Sequence, residues 1–464
     1  MACSVHLINW KLPSVRRFDA EAILMKTRLR LTDRPPKTLS VCMIVKNEEK
    51  NVGDCLETVK DFADQVVVVD TGSTDRTVEI AEKYGAKTIR SEWRGDFSYS
   101  RNISLDYAES RWILWLDADD RIPPAESEKF KRLKTAPPDR AFYLRIRNVL
   151  QGGFGEQWYQ LRMFPNHPEI RFERKVHEQV AFAIRRLKMP VFREDVRIDH
   201  VGYETPELKR QKAVRNREIL LTDFPRYRRD PAYVSSIGDS YFLTEEFDTA
   251  IQWYQKALEI PDGERRQPDI FRQMPTSIAL SYQRMGDWEK ARWWIEKAIQ
   301  ASPQKIDSLF LAAGLREKMG DFAGAAALYE RIKQVPASHT TYAADLEGLK
   351  ARSLVFLGKI HAKREMYNEA ELAFRTCIER YPQVLNSYSE LGDLLLKQGR
   401  PEEAADFFIR SIKRGRRGDR DAYLGLAKAL ALMGQLKEAD EVLKEVKGLY
   451  PSHKETPSIE STHP

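Results

Sequence analysis

The chain reads as a parallel, doubly wound α/β domain followed by an all-α repeat solenoid. Three observations predict this. Short apolar strands alternate with helical stretches from Leu39 to about Tyr203. After about Pro206 the pattern turns wholly helical. Within that second part a short turn ending in alanine recurs six times, at Ala250, Ala291, Ala325, Ala370, Ala404 and Ala439, with intervals of 41, 34, 45, 34 and 35 residues.

The elements follow in order. LSVCMIVKN (39–47) is rich in β-branched residues and predicts a buried strand, with a helical stretch after it to about Lys60. DQVVVVDTGSTD (64–75) is a second buried strand that ends in turn residues, and a helix follows from Thr77 to Tyr84. AKTIRSEW (86–93) predicts a short third strand, and FSYSRNISLDYAES (97–110) a helix. WILWLDADDRIPP (112–124) starts as a core strand and then sets down Asp117, Asp119 and Asp120 almost at once. Ligands of doubly wound sheets bind beyond the carboxyl ends of the strands, where Asp70 and Asp117 both fall. From Arg140 to His200 the pattern is more irregular, and AFYLRIRNVL, QWYQLRMF and DVRIDHVGY read as antiparallel additions.

The repeating turns (EEFDTA, GDWEKA, GDFAGA, EMYNEA, GRPEEA, GQLKEA) recur close to the 34-residue period of helix–turn–helix tetratricopeptide units. Ala257, Ala298 and Cys377 lie seven residues beyond three of the alanines, and Pro261, Pro303, Pro336, Pro382 and Pro451 close repeats. Small residues let paired helices approach, while Trp, Tyr and Leu supply a continuous core. The two long intervals predict loops or lengthened helices near 262–270 and 336–347.

Composition sets bounds on function. The chain has 464 residues, enough for two or more cores, and its apolar and charged fractions are those of a globular protein. No apolar run reaches the roughly 18–20 residues that span a bilayer, and residues 1–38 lack the apolar core of a secretory signal. Cys3, Cys42, Cys55 and Cys377 are scattered and fit a reducing compartment, so a cytoplasmic location is expected. Residues 1–38 hold eight Lys/Arg against three Asp/Glu, which is +5 of the net +7. This basic N-terminal extension reads as solvated chain or as a peripheral contact with an anionic membrane surface. It contains no recognisable nucleic-acid module.

The carboxylate cluster needs a cause, because like charges crowded at a strand end repel unless a cation is present. A polar loop with a helix N-cap is the plain alternative. The order CMIVKNEE, VVVVDTGSTDRT, DFSYSRNISLDYA, WILWLDADDRIPP resembles the family 2 nucleotide-sugar glycosyltransferases of the GT-A (Rossmann-like) fold, over roughly residues 39–203. In that family a divalent metal, Mn²⁺ or Mg²⁺, offsets the charge that grows on a departing nucleoside diphosphate.

The resemblance implies a set of site residues. Its Asp-x-Asp matches Asp117, facing ribose or sugar and metal, and Asp119, a metal ligand, with Asp120 standing behind them. Asp70 matches the carboxylate that reads the nucleobase, and uracil N3–H suits it, so a UDP-sugar donor is expected; Thr71 stands where many members carry a second Asp. Val45, Asn47 and Glu48 flank the nucleotide. Arg101 and Asn102 are expected to touch phosphate or ribose, or else to be a solvated helix face. In FERKVHEQV (172–180), Glu178 is the expected general base with His177 its rival, and a surface salt bridge is the plain alternative for Glu178. Gly153, in QGGFGEQ, is expected to admit the donor sugar without a side-chain clash, or simply to form a hairpin turn. His200, in RIDHVGY, is expected as a further metal ligand or as a structural histidine.

These pieces define an expected organisation: extension 1–38, GT-A domain 39–205, helical connector 206–228, repeats 229–455 and tail 456–464. The leading reading is an inverting, metal-dependent transfer of sugar to an acceptor hydroxyl or thiol. The repeats would grip a protein or peptide acceptor or a partner, as in some bacterial peptide glycosyltransferases. Two other readings compete with it. One is a non-catalytic tetratricopeptide scaffold with a degenerate first domain, which the full set Asp70, Asp117, Asp119 and Glu178 opposes. The other is a sugar nucleotidyltransferase, which would need a Gly-rich loop where KNEEKN stands.

Overall fold

The computed structural model describes residues 37–149, 155–202, 205–336, 345–415 and 420–449. The expectations for Gly153, for the charge-bearing residues 1–36 and for the tail 456–464 lie outside the described residues.

The first part is one eight-stranded sheet in the order β3-β2-β1-β4-β7-β6-β8-β5. Its strands are β1 (Leu39–Val45), β2 (Gln65–Asp70), β3 (Lys87–Arg90), β4 (Trp112–Leu116), β5 (Asp120–Arg121), β6 (Ala141–Asn148), β7 (Gln157–Pro165) and β8 (Val191–His200). β1 pairs in parallel with β2 and β4, and β2 with β3. Helices α1 (Val52–Val59), α2 (Thr77–Lys83) and α3 (Phe97–Asp106) make the crossovers. The central strands are buried on both faces, as their unbroken apolar runs demand: Val41, Val67, Val68, Leu114 and Leu116 are fully enclosed. Asp96 N-caps α3 by accepting from the Tyr99 N–H at 2.9 Å, and α3 stops at Asp106, four residues short of the expected end.

The later strands differ from expectation in one respect. β7 runs antiparallel to β4 and β6, but β8 lies parallel to β6, from Ala141↔Val191 to Asn148↔His200. Helix α5 (Ala181–Arg186) carries the chain across before β8, after α4 (Ser127–Leu133) has led into β6. β5, which the sequence does not predict, is a two-residue strand antiparallel to the end of β8, pairing Asp120 with His200.

Beyond the sheet, α6 (Pro206–Tyr227) leads into α7 (Pro231–Leu243) and a run of antiparallel helix pairs ending with Leu436–Leu449. The six expected alanines each begin the tight approach within a pair, and all are at most 1% exposed. The first long interval is filled as expected, while most of the second (337–344) lies outside the described residues. A short helix (Gly263–Arg266) precedes the lengthened Pro268–Met285, and Leu346–Lys363 is likewise 18 residues long. Close helix contact also selects glycine: a Cβ on Gly392 would stand 2.6 Å from the Phe408 ring. Among the described residues no helix is long and apolar enough to cross a membrane.

Candidate active site

The carboxyl ends of the parallel strands converge on one edge of the sheet. Register places Val45 beside Asp70, and Leu116, the last residue of β4, beside Met43. Asp70 is buried and its carboxylate accepts from the N–H groups of Gly72 (3.3 Å) and Ser73 (3.1 Å), which shapes its own turn. Thr71, the departure from the family pattern, turns its hydroxyl onto the Val45 carbonyl at 3.0 Å. Asn47, at φ 56°, accepts from the Thr74 N–H at 2.8 Å, and the Glu48 N–H donates to the Thr77 hydroxyl at 2.7 Å. The loops after β1 and β2 are thereby knitted into one rim.

The carboxylates after β4 divide into two groups. Asp117 faces guanidinium: Arg101 Nη2 donates at 2.7 Å and Arg162 at 3.4 Å. Burial works to raise its pKa, but the two guanidiniums outweigh that and hold it well below the usual carboxylate range. Asp119 and Asp120 instead face His200, whose Nδ1 lies 3.4 Å from Asp119 Oδ1 and 3.0 Å from Asp120 Oδ1. The β5–β8 ladder creates this meeting, because it pairs Asp120 with His200 directly. Burial, reinforced by the neighbouring Asp117 and Asp120 against the pull of His200, pushes Asp119 up to about 6. Burial alone would discharge His200; the Asp120 hydrogen bond and the Asp119 charge prevail and raise it to about 9.

One donor atom from each of Asp119, Asp120 and His200 lies within 4.8 Å of the others. Two hard carboxylate oxygens and an imidazole suit a divalent cation. Gly202 contributes by lacking a side chain: its Cβ would stand 2.4 Å from Asp119 Oδ2 and 3.1 Å from His200 Nε2. The expected ligand set Asp117, Asp119 and His200 is therefore drawn together only in part. Asp117 is committed to arginines, and Asp120 takes its place in the cluster.

Glu178 lies on the other side of Asp117. Its carboxylate accepts from Arg101 Nε at 2.6 Å, so one guanidinium bridges Glu178 and Asp117. Arg101 and Arg162 both lie over the Trp115 ring, at 4.2 and 3.7 Å from its centroid. The Trp115 indole N–H is fixed in turn by the Leu161 carbonyl at 2.8 Å. Arg162 also donates to Asp120 at 3.0 Å, so two buried arginines tie the base candidate to the cation cluster. His177, at φ 55°, is exposed.

Arg101, expected against phosphate or ribose or on a solvated helix face, is buried and gives Nε to Glu178 and Nη2 to Asp117. Beside it on the same helix, both ends of the Asn102 amide hold the Phe172 backbone, donating to the carbonyl at 3.0 Å and accepting from the N–H at 2.8 Å. It clamps the strand-end loop to α3. The sequence reading missed Arg162, Trp115 and Gly202 altogether. Arg162 carried a faint signal, as a charged residue inside the apolar run of QWYQLRMF.

The profile for Glycosyl transferase family 2 matches residues 40–194, and tetratricopeptide-repeat profiles match 234–262, 357–414 and 389–454. The chain is 30% identical over 313 residues to a TPR repeat-containing protein of Synechococcus elongatus, covering 65% of this chain and 75% of that one. It is 27% identical over 225 residues to the SPbeta prophage-derived glycosyltransferase SunS of Bacillus subtilis, covering 48% of this chain and 53% of that one. Among solved structures it is similar to the C-terminal part of a TPR repeat-containing protein from Cytophaga hutchinsonii. There the identity is 13% and the TM-score 0.42, over 54% of this chain and 95% of that one.

Proposed function

Because this chain belongs to the tetratricopeptide-repeat proteins that carry an N-terminal family 2 glycosyltransferase domain, we propose that it moves a sugar from a UDP-sugar to a nucleophilic hydroxyl or thiol of a protein or peptide acceptor. The observation that carries this reading is the pairing of a Glu178–Arg101–Asp117 bridge with the Asp119–Asp120–His200 cluster on one strand-end edge. Asp70 retains acceptor capacity beyond its own turn and would take the uracil N3–H. Val45, Asn47 and Glu48 form the rim beside it.

The residues present fit a divalent cation at Asp119, Asp120 and His200. Such an ion, when bound, would offset the charge growing on the leaving diphosphate. The rest of the work falls to the chain. Glu178 takes the proton from the acceptor oxygen or sulfur, which attacks the anomeric carbon from the face opposite the diphosphate. As that bond forms, the bond from the anomeric carbon to the diphosphate oxygen breaks, its electron pair leaves with UDP, and the anomeric centre inverts. Arg101 holds Glu178 in place, and its shared contact with Asp117 fixes the spacing between the base and the sugar-facing carboxylate. The helix pairs offer no donor-binding chemistry of their own and are assigned the acceptor or a protein partner.

The test is a panel of nucleotide sugars scored for Mn²⁺-dependent protection against thermal unfolding. UDP-sugars should protect only with the metal present, and protection should vanish in Asp119→Asn. Equal protection by GDP- or CMP-sugars would overturn the UDP assignment, and protection unaffected by chelation would overturn the cation site.

A further inference from the structure

We propose that Arg174 is a positioning residue for the general base, and that the first helices of the repeat region complete the active site by holding the loop that carries Glu178. The inference rests on the assignment of Glu178 above, and it concerns how that residue is kept in place.

Glu178 sits in a tight loop closed at its neck. The Glu173 and Gln179 N–H and C=O groups exchange two hydrogen bonds of 3.1 Å, leaving 174–178 to bulge between them. Two of those five residues, Arg174 (φ 77°) and His177 (φ 55°), occupy the left-handed region that side chains avoid. Such a loop keeps its shape only where its surroundings over-determine it.

The surroundings come from two sides. On the sheet side, the Ser98 hydroxyl donates to the Arg174 carbonyl, and the Phe97 N–H donates to the Lys175 carbonyl at 2.9 Å. On the helical side, Lys175 reaches Asp223 of α6 at 2.8 Å, and buried Val176 shares a core with Leu220, Tyr233 and Ile237. The Arg174 guanidinium is buried, ion-paired with Asp230, and packed 4.6 Å over Phe182 and 5.8 Å over each of Tyr227 and Tyr233. Asp230 is at the same time the N-cap of α7: its Oδ1 accepts from the Ala232 N–H at 3.1 Å and the Tyr233 N–H at 3.3 Å, while Oδ2 meets Arg174. One carboxylate thus starts the helix array and anchors the base loop. A shift of that loop would move Glu178 off the acceptor proton while leaving Asp70 and the cation cluster, on other elements, where they are.

Asp230→Asn in the full chain isolates this contact, because asparagine caps a helix as well as aspartate but carries no charge for Arg174. Amide hydrogen exchange over 173–179 should quicken at least about tenfold, with β1, β2 and β4 unchanged. Mn²⁺-dependent UDP affinity should stay within about twofold. With the UDP-sugar that the thermal panel selects, kcat should fall on the order of 10-fold to 10²-fold at constant donor KM. In a Glu178→Gln background, Asp230→Asn should have no further effect on kcat. If Asp230→Asn does not fold, Arg174→Lys, which keeps a charge but loses the stacking plane, takes its place with the same readouts. Unchanged loop exchange, or quickened exchange with unchanged kcat, overturns the proposal. So does an additive loss in the double variant. Full turnover by Glu178→Gln alone would instead overturn the base assignment, and the exchange measurement would still decide whether the helices hold the loop.

Discussion

Asp120 and His200 lie opposite each other on the short β5–β8 ladder, with Asp120 Oδ1 3.0 Å from His200 Nδ1. The other oxygen of Asp120 is held by Arg162 at 3.0 Å and by the Asp117 N–H at 2.9 Å. Asp120 is therefore both a member of the cation cluster and the fully buried counter-charge of a buried arginine. Asp119, adjacent in sequence, is part-exposed and has no arginine partner among the described residues.

That difference separates two substitutions. Asp119→Asn should abolish Mn²⁺-dependent UDP binding and transfer while leaving the unfolding midpoint nearly unchanged. Asp120→Asn should also lose metal, and in addition destabilise the chain by about 1–3 kcal/mol, because it removes the nearer carboxylate of buried Arg162 and leaves it only Asp117 at 3.4 Å. Chemical denaturation beside calorimetric UDP titration checks both, and equal stability of the two variants would sink the distinction.

Glu178→Gln should leave donor binding within a fewfold of normal and lower transfer by roughly 10²–10⁴, the usual share of a general base. Hydrolysis of the donor by water should suffer less than glycosylation of the acceptor. Unchanged transfer would move the role to His177, the exposed neighbour on the same loop.

Gly202→Ala tests the cluster without removing a ligand. The new methyl group would arrive 2.4 Å from Asp119 Oδ2 and must displace that carboxylate or the ladder. Metal-dependent UDP affinity should drop by about 10–100-fold, the range seen when the support of a metal ligand is disturbed. Wild-type affinity would show that Asp119 does not hold the cation.

The sheet and the repeats were legible because they rest on periodicity: core strands that are apolar throughout, and small residues where helices must touch, such as Ala250 and Ala404. The resemblance pointed to Asp119 and His200, which the fold places 3.4 Å apart. What escaped was whatever depends on which side chains meet across distant segments. Nothing local in DADD distinguishes Asp117, which finds two arginines, from Asp120, which finds a histidine 80 residues away. Asn102 looked like a ligand contact because a polar residue on a helix face carries no mark of the backbone it will clamp. The parallel placement of β8 escaped for the same reason, since α5 is short and weakly patterned.

The thiols should be nearly inert in the native chain. Burial pushes Cys42 up to about 12 and Cys377 up to about 11, and raises Cys55 as well. At pH 8 the thiolate fraction of Cys377 is about 10⁻³ or less. Ellman's reagent should find at most one fast thiol, Cys3, before denaturation and four after it. The sign for stability follows: a folded pKa above the unfolded value of 9.0 means stability is held below pH 9 and lost as pH climbs toward 11 and 12. Two or more fast thiols in the native chain would contradict the burial of this set.

The last prediction concerns where the chain can be cut. A fragment ending near Pro225 contains every proposed donor-site residue, but it would lack Asp230, Tyr233 and Ile237, which hold Arg174 and Val176. It should therefore expose the 174–178 loop to proteases and show little transfer, even where UDP binding survives. A fragment ending after Ala301 keeps α6, α7 and the next helices, so the loop retains its whole seat and loses only distant repeats. It should match the full chain in metal-dependent UDP binding and in donor hydrolysis, and fall short only in transfer to a macromolecular acceptor. Limited proteolysis and calorimetric titration on the two fragments separate the roles. If the shorter fragment hydrolyses donor as fast as the longer one, the first helices do not serve the base loop. If the longer fragment glycosylates the natural acceptor at the full rate, residues beyond Ala301 do not recruit it.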